Sequence, residues 1–235
     1  MHRFYAPDIA ASLELPEQEA QHALRVLRLT TGDTIEVVDG KGGLHTCRIA
    51  ATHPKHCTVE IVESVTVAAH WGHSITLAIA PTKNPDRMEW MAEKATEMGV
   101  DRIIPLRCRY SERKELKTDR LRRVLAAAMK QSLKATLPQL DQMTPISSLL
   151  EQQLPGQKFI AYCGTGVERA DFSHLYVPRR DVTVLIGPEG DFSPDEVASA
   201  LKAGFTAVTF GQSRLRTETA ALYAIAAIHA LDAKT

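Results

Sequence analysis

The chain has 235 residues, 28 basic and 28 acidic side chains and 44% apolar content, enough to bury a core in one or two compact units and too apolar for a disordered polyelectrolyte. Cys47, Cys57, Cys108 and Cys163 form no C-x-x-C pair, and His53, His56, His70 and His73 complete no set of four ligands, so neither a disulfide framework nor a metal site is expected. Residues 1–10 lack the basic start and apolar run of a secretory leader, and the longest apolar run, residues 220–231, is too short to span a bilayer; a cytoplasmic protein with no membrane partner is expected.

Residues 1–70 read as a small β-rich domain with one helix. The helix is predicted over residues 17–29, with Ala20, Ala23, Leu24 and Leu27 on one side and Arg25 and Arg28 pointing outward. Strands are predicted at residues 34–38, 44–49 and 58–65. Between the first two, Gly40, Gly42 and Gly43 supply the positive φ angles of a hairpin loop. A linker is placed within residues 64–74.

Residues 74–235 read as an α/β domain, because strand and helix patterns alternate as in a largely parallel sheet with helices on its faces. Strands are predicted at residues 75–80, 102–106, 159–162, 182–186 and 207–210. Helices are predicted over residues 85–98, ended by Gly99, over 119–134, and over 217–231. Ser193, Pro194 and Glu196 form the capping box and first turn of another.

Charge is unevenly spread. Residues 102–134 hold eleven Lys or Arg, among them Arg109, Arg113, Arg120, Arg123 and Lys134, against three acids. A run this one-sided repels itself unless an anion offsets it, which favours a phosphate-binding stripe over a solvated helix face.

Two strand ends carry the candidate chemistry. A buried strand at residues 182–186 runs into Gly187-Pro188-Glu189-Gly190 and then a capped helix, and ligands of open α/β sheets bind at such strand ends. Gly187 and Gly190 would let backbone approach a ligand, a β-carbon at either position intruding on it. Walker and dinucleotide motifs are absent, since Gly164-Thr165-Gly166 has Arg169 where a third glycine would stand. The second element is a strand, Gly211, and then Arg214, Leu215, Arg216, Thr217, Glu218 and Thr219 at a helix start. Helix capping alone would account for Thr217 and Glu218.

Taken together, the strand ending in G-P-E-G and the strand, glycine and L-R-T-E-T-A near the C-terminus resemble the 16S ribosomal RNA uridine-N3 methyltransferases of the SPOUT class. Arg3-Phe4-Tyr5 and the run from His22 to Arg28 resemble that family's PUA-like RNA-binding domain. The runs from Glu93 to Val100 and Pro105-Leu106 resemble its catalytic domain. The chain departs at Asp191, where the family commonly has a second glycine, and at residues 130–134. The resemblance implies a trefoil-knotted α/β domain behind a small β-barrel, a homodimer, and S-adenosylmethionine held by loops at residues 162–164, 186–190 and 211–218. Its cofactor residues would be Tyr162, Gly164, Ile186, Gly187, Glu189, Gly190, Gly211, Leu215 and Thr219. Its partner would be 16S ribosomal RNA of the small subunit, methylated at uridine 1498, with Arg3, Arg25 and Arg28 joining the basic stripe in binding it.

N3 of uracil is a weakly acidic imide, so methylation needs a base near N3 and a cation near the carbonyl oxygens. Arg216 is the candidate cation, and Glu218 either orients Arg216 or accepts the proton. A ribosome-assembly factor that binds RNA without catalysis, and an α/β enzyme that binds a nucleotide at Gly187, are the competing readings.

Overall fold

In the computed structural model, which describes residues 2–234, the chain divides into two units. One comprises the residues up to His70 together with Ala126–Leu137, and the other comprises Trp71–Leu125 together with the residues from Pro138 onward. Residues 126–137 were expected in the second domain. They cluster with the first because Met129 and Ala135 bury against Val38 and the Gly42 N–H donates to the Ala135 carbonyl at 3.1 Å.

The first unit is a four-stranded sheet in the order β1 (Arg3–Tyr5), β2 (Thr34–Val38), β3 (Gly43–His53) and β4 (His56–Thr66). β1 runs parallel to β2, and the other pairs are antiparallel. Among the described residues no ladder joins β1 to β4, so strand pairing leaves the sheet open where a barrel was expected. Asp39 closes the β2–β3 turn by accepting from the N–H groups of Lys41 and Gly43 at 2.7 and 2.8 Å; Gly40 and Gly42 take φ of 76° and 104° there. Phe4, Ile9, Ile35, Val37, Ile49 and Val59 form the core. The expected helix is shorter and mixed. After α1 (Ile9–Ser12), α2 (Glu17–Gln21) passes into a π turn at His22–Val26, and Arg28, at φ 56°, has left the helix.

The second unit is built on a parallel sheet. In chain order its elements are β5 (Ile75–Ile79), α3 (Pro85–Met98), β6 (Arg102–Arg107), α4 (Thr118–Gln131), β7 (Gln139–Leu140), β8 (Thr144–Pro145) and α5 (Ile146–Leu150). There follow β9 (Gln157–Ala161), β10 (Ala170–Asp171), α6 (Phe172–Leu175), β11 (Val182–Ile186), α7 (Pro194–Lys202), β12 (Thr206–Thr209) and α8 (Thr217–Asp232). The sheet order is β10-β12-β9-β11-β5-β6-β7, with β8 beside β6. β11 is central, paired in register with β9 and β5 along its whole length. All five of its residues are buried, as a strand covered on both faces requires.

Helix ends follow local chemistry. α4 stops before its predicted end because Leu133 turns into the left-handed region at φ 58°. α7 carries the expected box, Ser193 and Glu196 each capping the other's backbone. α8 buries Ala221, Leu222, Ala224, Ile225 and Ile228 and touches α3, β5 and β11, so an apolar circumference is accommodated by neighbours on more than one side.

Candidate active site

The parallel strands β9, β11 and β12 end at one edge of the sheet, and the loops that follow them enclose a cavity of about 1120 Å³. The first loop contributes Tyr162, Cys163, Gly164 and Arg169; the second Ile186, Gly187, Glu189 and Asp191; the third Gly211, Arg214, Leu215, Arg216 and the helix start Thr217–Glu218. Nine of the residues singled out in the sequence therefore meet in one place: Tyr162, Gly164, Ile186, Gly187, Glu189, Gly211, Leu215, Arg216 and Glu218.

Two cofactor candidates do not line it. A β-carbon on Gly190 would stand 3.1 Å from the Tyr110 β-carbon, so this glycine makes room for a neighbouring loop. Thr219 is exposed on α8, one helical step beyond the buried Thr217 and Glu218.

Hydrogen bonds tie the loops together. Asp191 accepts from the Cys163 N–H at 2.9 Å and from the Phe192 N–H at 2.8 Å, and it sits at φ 65°. That conformation suits glycine and is tolerated by Asp, which explains how a carboxylate can stand where the related pattern has a glycine. Glu189 accepts from the Lys83 N–H at 2.9 Å. Arg169 donates to the Tyr162 carbonyl at 2.8 Å, and Thr217 donates its hydroxyl to the Gly187 carbonyl at 3.1 Å. Gly164 is required by packing, since a β-carbon there would fall 2.1 Å from the Tyr162 hydroxyl oxygen.

Charge in the cavity is mixed. Arg87, Arg169, Arg214 and Arg216 face Glu189, Asp191 and Glu218. Glu218 is buried, its side chain 8% exposed, and its ion-pair partner is Arg87 at 3.6 Å. Among the described residues the ion pair of Glu218 is with Arg87 and not with Arg216. Arg216 is the N-cap of α8 and is exposed. Burial, then the Asp191 carboxylate, push the Cys163 thiol up, while Arg214 and Arg169 oppose the shift. Arg87 was not legible as a site residue because it lies on a different helix, in no motif; only the contact between α3 and α8 brings it here.

The basic residues are differently committed. Arg3 forms a two-pronged pair with Glu36 at 2.7 and 2.9 Å and is 10% exposed, so it holds β1 to β2 and offers little to RNA. Arg113 donates to the carbonyls of Thr82 and Lys83 at 3.3 and 2.9 Å, bracing the loop before α3. Arg120 pairs with Glu89 at 2.6 Å, and Arg109 reaches Asp195 at 3.4 Å. Arg25, Arg28 and Arg123 are exposed, and Lys134 is half-buried.

A family model described as an RNA methyltransferase domain matches residues 70–229, and one described as an RNA methyltransferase PUA domain matches residues 15–62. The chain is similar to a probable rRNA-methyltransferase from Porphyromonas gingivalis, with 45% identity, a TM-score of 0.94, and 100% and 99% of the two chains covered. It is similar to a ribosomal RNA small subunit methyltransferase E from Neisseria gonorrhoeae solved bound to S-adenosyl methionine, with 30% identity, a TM-score of 0.86 and 98% of each chain covered. The protein of that name from Rickettsia conorii is 27% identical over 94% of this chain and 91% of its own length. Because the first of these domains spans most of the residues that build the sheet and the cavity, the chain belongs to the RNA methyltransferase family and is an RNA methyltransferase with a PUA domain ahead of its catalytic unit.

Proposed function

We propose that the protein transfers the methyl group of S-adenosylmethionine to N3 of a uridine in 16S ribosomal RNA of the small subunit, by resemblance uridine 1498. The observation that carries this reading is the convergence of three strand-end loops on one cavity containing a buried Glu218 and an exposed Arg216. At about 1120 Å³ the cavity lies just above the usual range for small-ligand sites, roughly 300–1,000 Å³, which leaves room for a base beside a cofactor. Tyr162, Ile186 and Leu215 offer apolar and aromatic walls for an adenine, and Glu189 and Asp191 offer carboxylates for a cationic ligand. The residues present therefore fit S-adenosylmethionine, which when bound supplies a methyl group activated by a sulfonium.

In this reading Glu218 accepts the N3 proton, and Arg216 stabilises the negative charge that develops on the uracil carbonyls. N3 lies on the pairing edge, so the base enters unpaired and flipped out. The exposed arginines of the PUA unit and of α4 hold the surrounding phosphates. The resemblance adds a trefoil knot in the catalytic unit, a homodimer and a cytoplasmic site of action; the four free thiols suit a reducing compartment.

The test is incubation of the purified protein with S-adenosylmethionine and either naked 16S RNA or small subunits lacking the modification, followed by nuclease digestion and mass spectrometry. One added methyl on one uridine is expected, with the fragment mass placing it on the base. RNA that is bound but gains no methyl would favour the assembly-factor reading. A methyl on another base would remove the assignment to uridine.

A further inference from the structure

Of the three acids in the cavity, two are held by backbone N–H groups: Glu189 by that of Lys83, and Asp191 by those of Cys163 and Phe192. Glu218 is the most buried of the three and has no such donor among the described residues. Its described partner is the Arg87 guanidinium, 3.6 Å away, which is 43% exposed and lines the same cavity. A carboxylate taken out of water without a partner is costly. The adjacent cation in the chain, Arg216, is exposed. The burial of Glu218 as an anion thus depends on a side chain from another helix.

Arg87 is itself well anchored. It lies in the first turn of α3, behind Pro85 and an Asn84 cap that accepts from the Asp86 N–H at 2.8 Å. The preceding loop is gripped twice: Arg113 donates to the Thr82 and Lys83 carbonyls, and Glu189 accepts the Lys83 N–H. Since Glu189 belongs to the loop after β11, the platform carrying Arg87 is fixed to the wall of the cavity that Glu218 faces. At 3.6 Å the pair leaves carboxylate lone pairs uncommitted, free to face a substrate.

We infer that Arg87 is a positioning residue for methyl transfer: it pairs with the Glu218 carboxylate and orients it toward the cavity, where that carboxylate takes the N3 proton. The inference rests on the reading proposed above. The step balances as follows: the N3 electron pair forms the new bond to the methyl carbon, the carbon–sulfur bond breaks with its pair kept by sulfur, and the N3 proton passes to Glu218. Arg87 does not touch the reacting atoms. It offsets the negative charge of Glu218 before the proton arrives.

The experiment is single-turnover methylation by the full chain with S-adenosylmethionine and unmodified small subunits both saturating, alongside calorimetric affinity for S-adenosylmethionine and thermal unfolding. Wild-type activity tests the functional reading; an inactive wild type sinks that reading and this inference with it. Given an active wild type, Arg87→Gln is expected to slow the chemical step on the order of tenfold to a hundredfold, as misplacement of a reacting group does, with cofactor affinity nearly unchanged and a lowered melting temperature, since the buried Glu218 loses its partner. Arg87→Lys is expected to recover part of the loss, because it restores the charge without the fork. In the double variant Arg87→Gln with Glu218→Gln, the rate should fall no further than in Glu218→Gln alone, as for residues acting as one unit. Multiplying losses, or a defect confined to cofactor affinity or melting temperature, would overturn the inference and leave Arg87 a structural residue.

Discussion

Asp191 and Cys163 join two of the loops that enclose the cavity: the Asp191 carboxylate accepts the Cys163 N–H at 2.9 Å while its own backbone sits at φ 65°. Asp191 thus does two things at once, holding a left-handed turn and bridging the loops after β9 and β11. Asp191→Gly should keep the turn and lose the bridge. Asp191→Ala should lose the bridge and strain the turn, costing about 1–3 kcal/mol of stability and weakening S-adenosylmethionine binding more than the glycine variant does. Thermal unfolding and calorimetry rank the two; equal losses would show that the backbone angle is immaterial.

Gly164→Ala is expected to be severe. Its β-carbon would lie 2.1 Å from the Tyr162 hydroxyl oxygen and 2.3 Å from the ring carbon bearing it, so removing the hydroxyl with Tyr162→Phe does not relieve the clash. At Gly211 a β-carbon meets nothing within 4 Å, and only its φ of 83° opposes substitution, at about 1 kcal/mol. Cofactor affinity should therefore fall much further for Gly164→Ala than for Gly211→Ala. The reverse order would place the cofactor away from Tyr162.

Thiol chemistry offers a test of the cavity without RNA. Cys47, Cys57 and Cys108 are buried and Cys163 is exposed, so iodoacetamide should label one cysteine in the native chain, read by peptide mass spectrometry. Burial and Asp191 push the Cys163 thiol up, so labelling should be slow at neutral pH and accelerate as pH rises toward the thiolate. S-adenosylmethionine should protect it, and full reactivity at saturating cofactor would move the ligand off the first loop.

RNA affinity should distinguish free arginines from committed ones. Arg123→Gln should flatten the salt dependence by about one unit of slope. Arg120→Gln should do less, because Arg120 must give up Glu89 at 2.6 Å to bind a phosphate. Arg3→Gln should lower melting temperature and leave the slope alone, since Arg3 is paired with Glu36 and 10% exposed. A slope change for Arg3→Gln as large as for Arg123→Gln would contradict this division.

Outside the cavity lining, Tyr176 donates its hydroxyl to Asp232 at 2.9 Å and lies 3.3 Å from the His73 ring nitrogen. Burial, then Asp232, raise the Tyr176 phenol well above its ordinary value near 10. A group raised in the folded state contributes stability below its unfolded value and loses it as pH climbs toward the folded one. Melting temperature should therefore fall from about pH 10 upward, and Tyr176→Phe, less stable at neutral pH, should fall less steeply. Parallel slopes would assign the alkaline loss to other groups.

Local pattern alone determined much of this protein. The capping box at Ser193, the buried strand Val182–Ile186, the glycine turn at Gly40 and Gly42, and the two motif loops were legible because each depends on residues within a few positions of one another. Short pieces such as β7, β8 and β10, two residues each, left no period to detect; they exist because longer neighbours offer unpaired sheet edges. The π turn at His22–Val26 and the left-handed Arg28 were hidden because a helical apolar pattern does not report where the backbone leaves the α-helix.

Tertiary structure decided what each charge does. In sequence, Arg3, Arg113 and Arg123 are equivalent cations, yet one is locked to Glu36, one braces two carbonyls and one is exposed. In sequence, Glu218 stands beside Arg216; in space its partner is Arg87. The sequence determined which residue types gather at the ends of β11 and β12, because those motifs are contiguous. Only the fold decided which carboxylate meets which guanidinium, because ion pairing depends on distance and burial, and both are set by elements far apart in the chain.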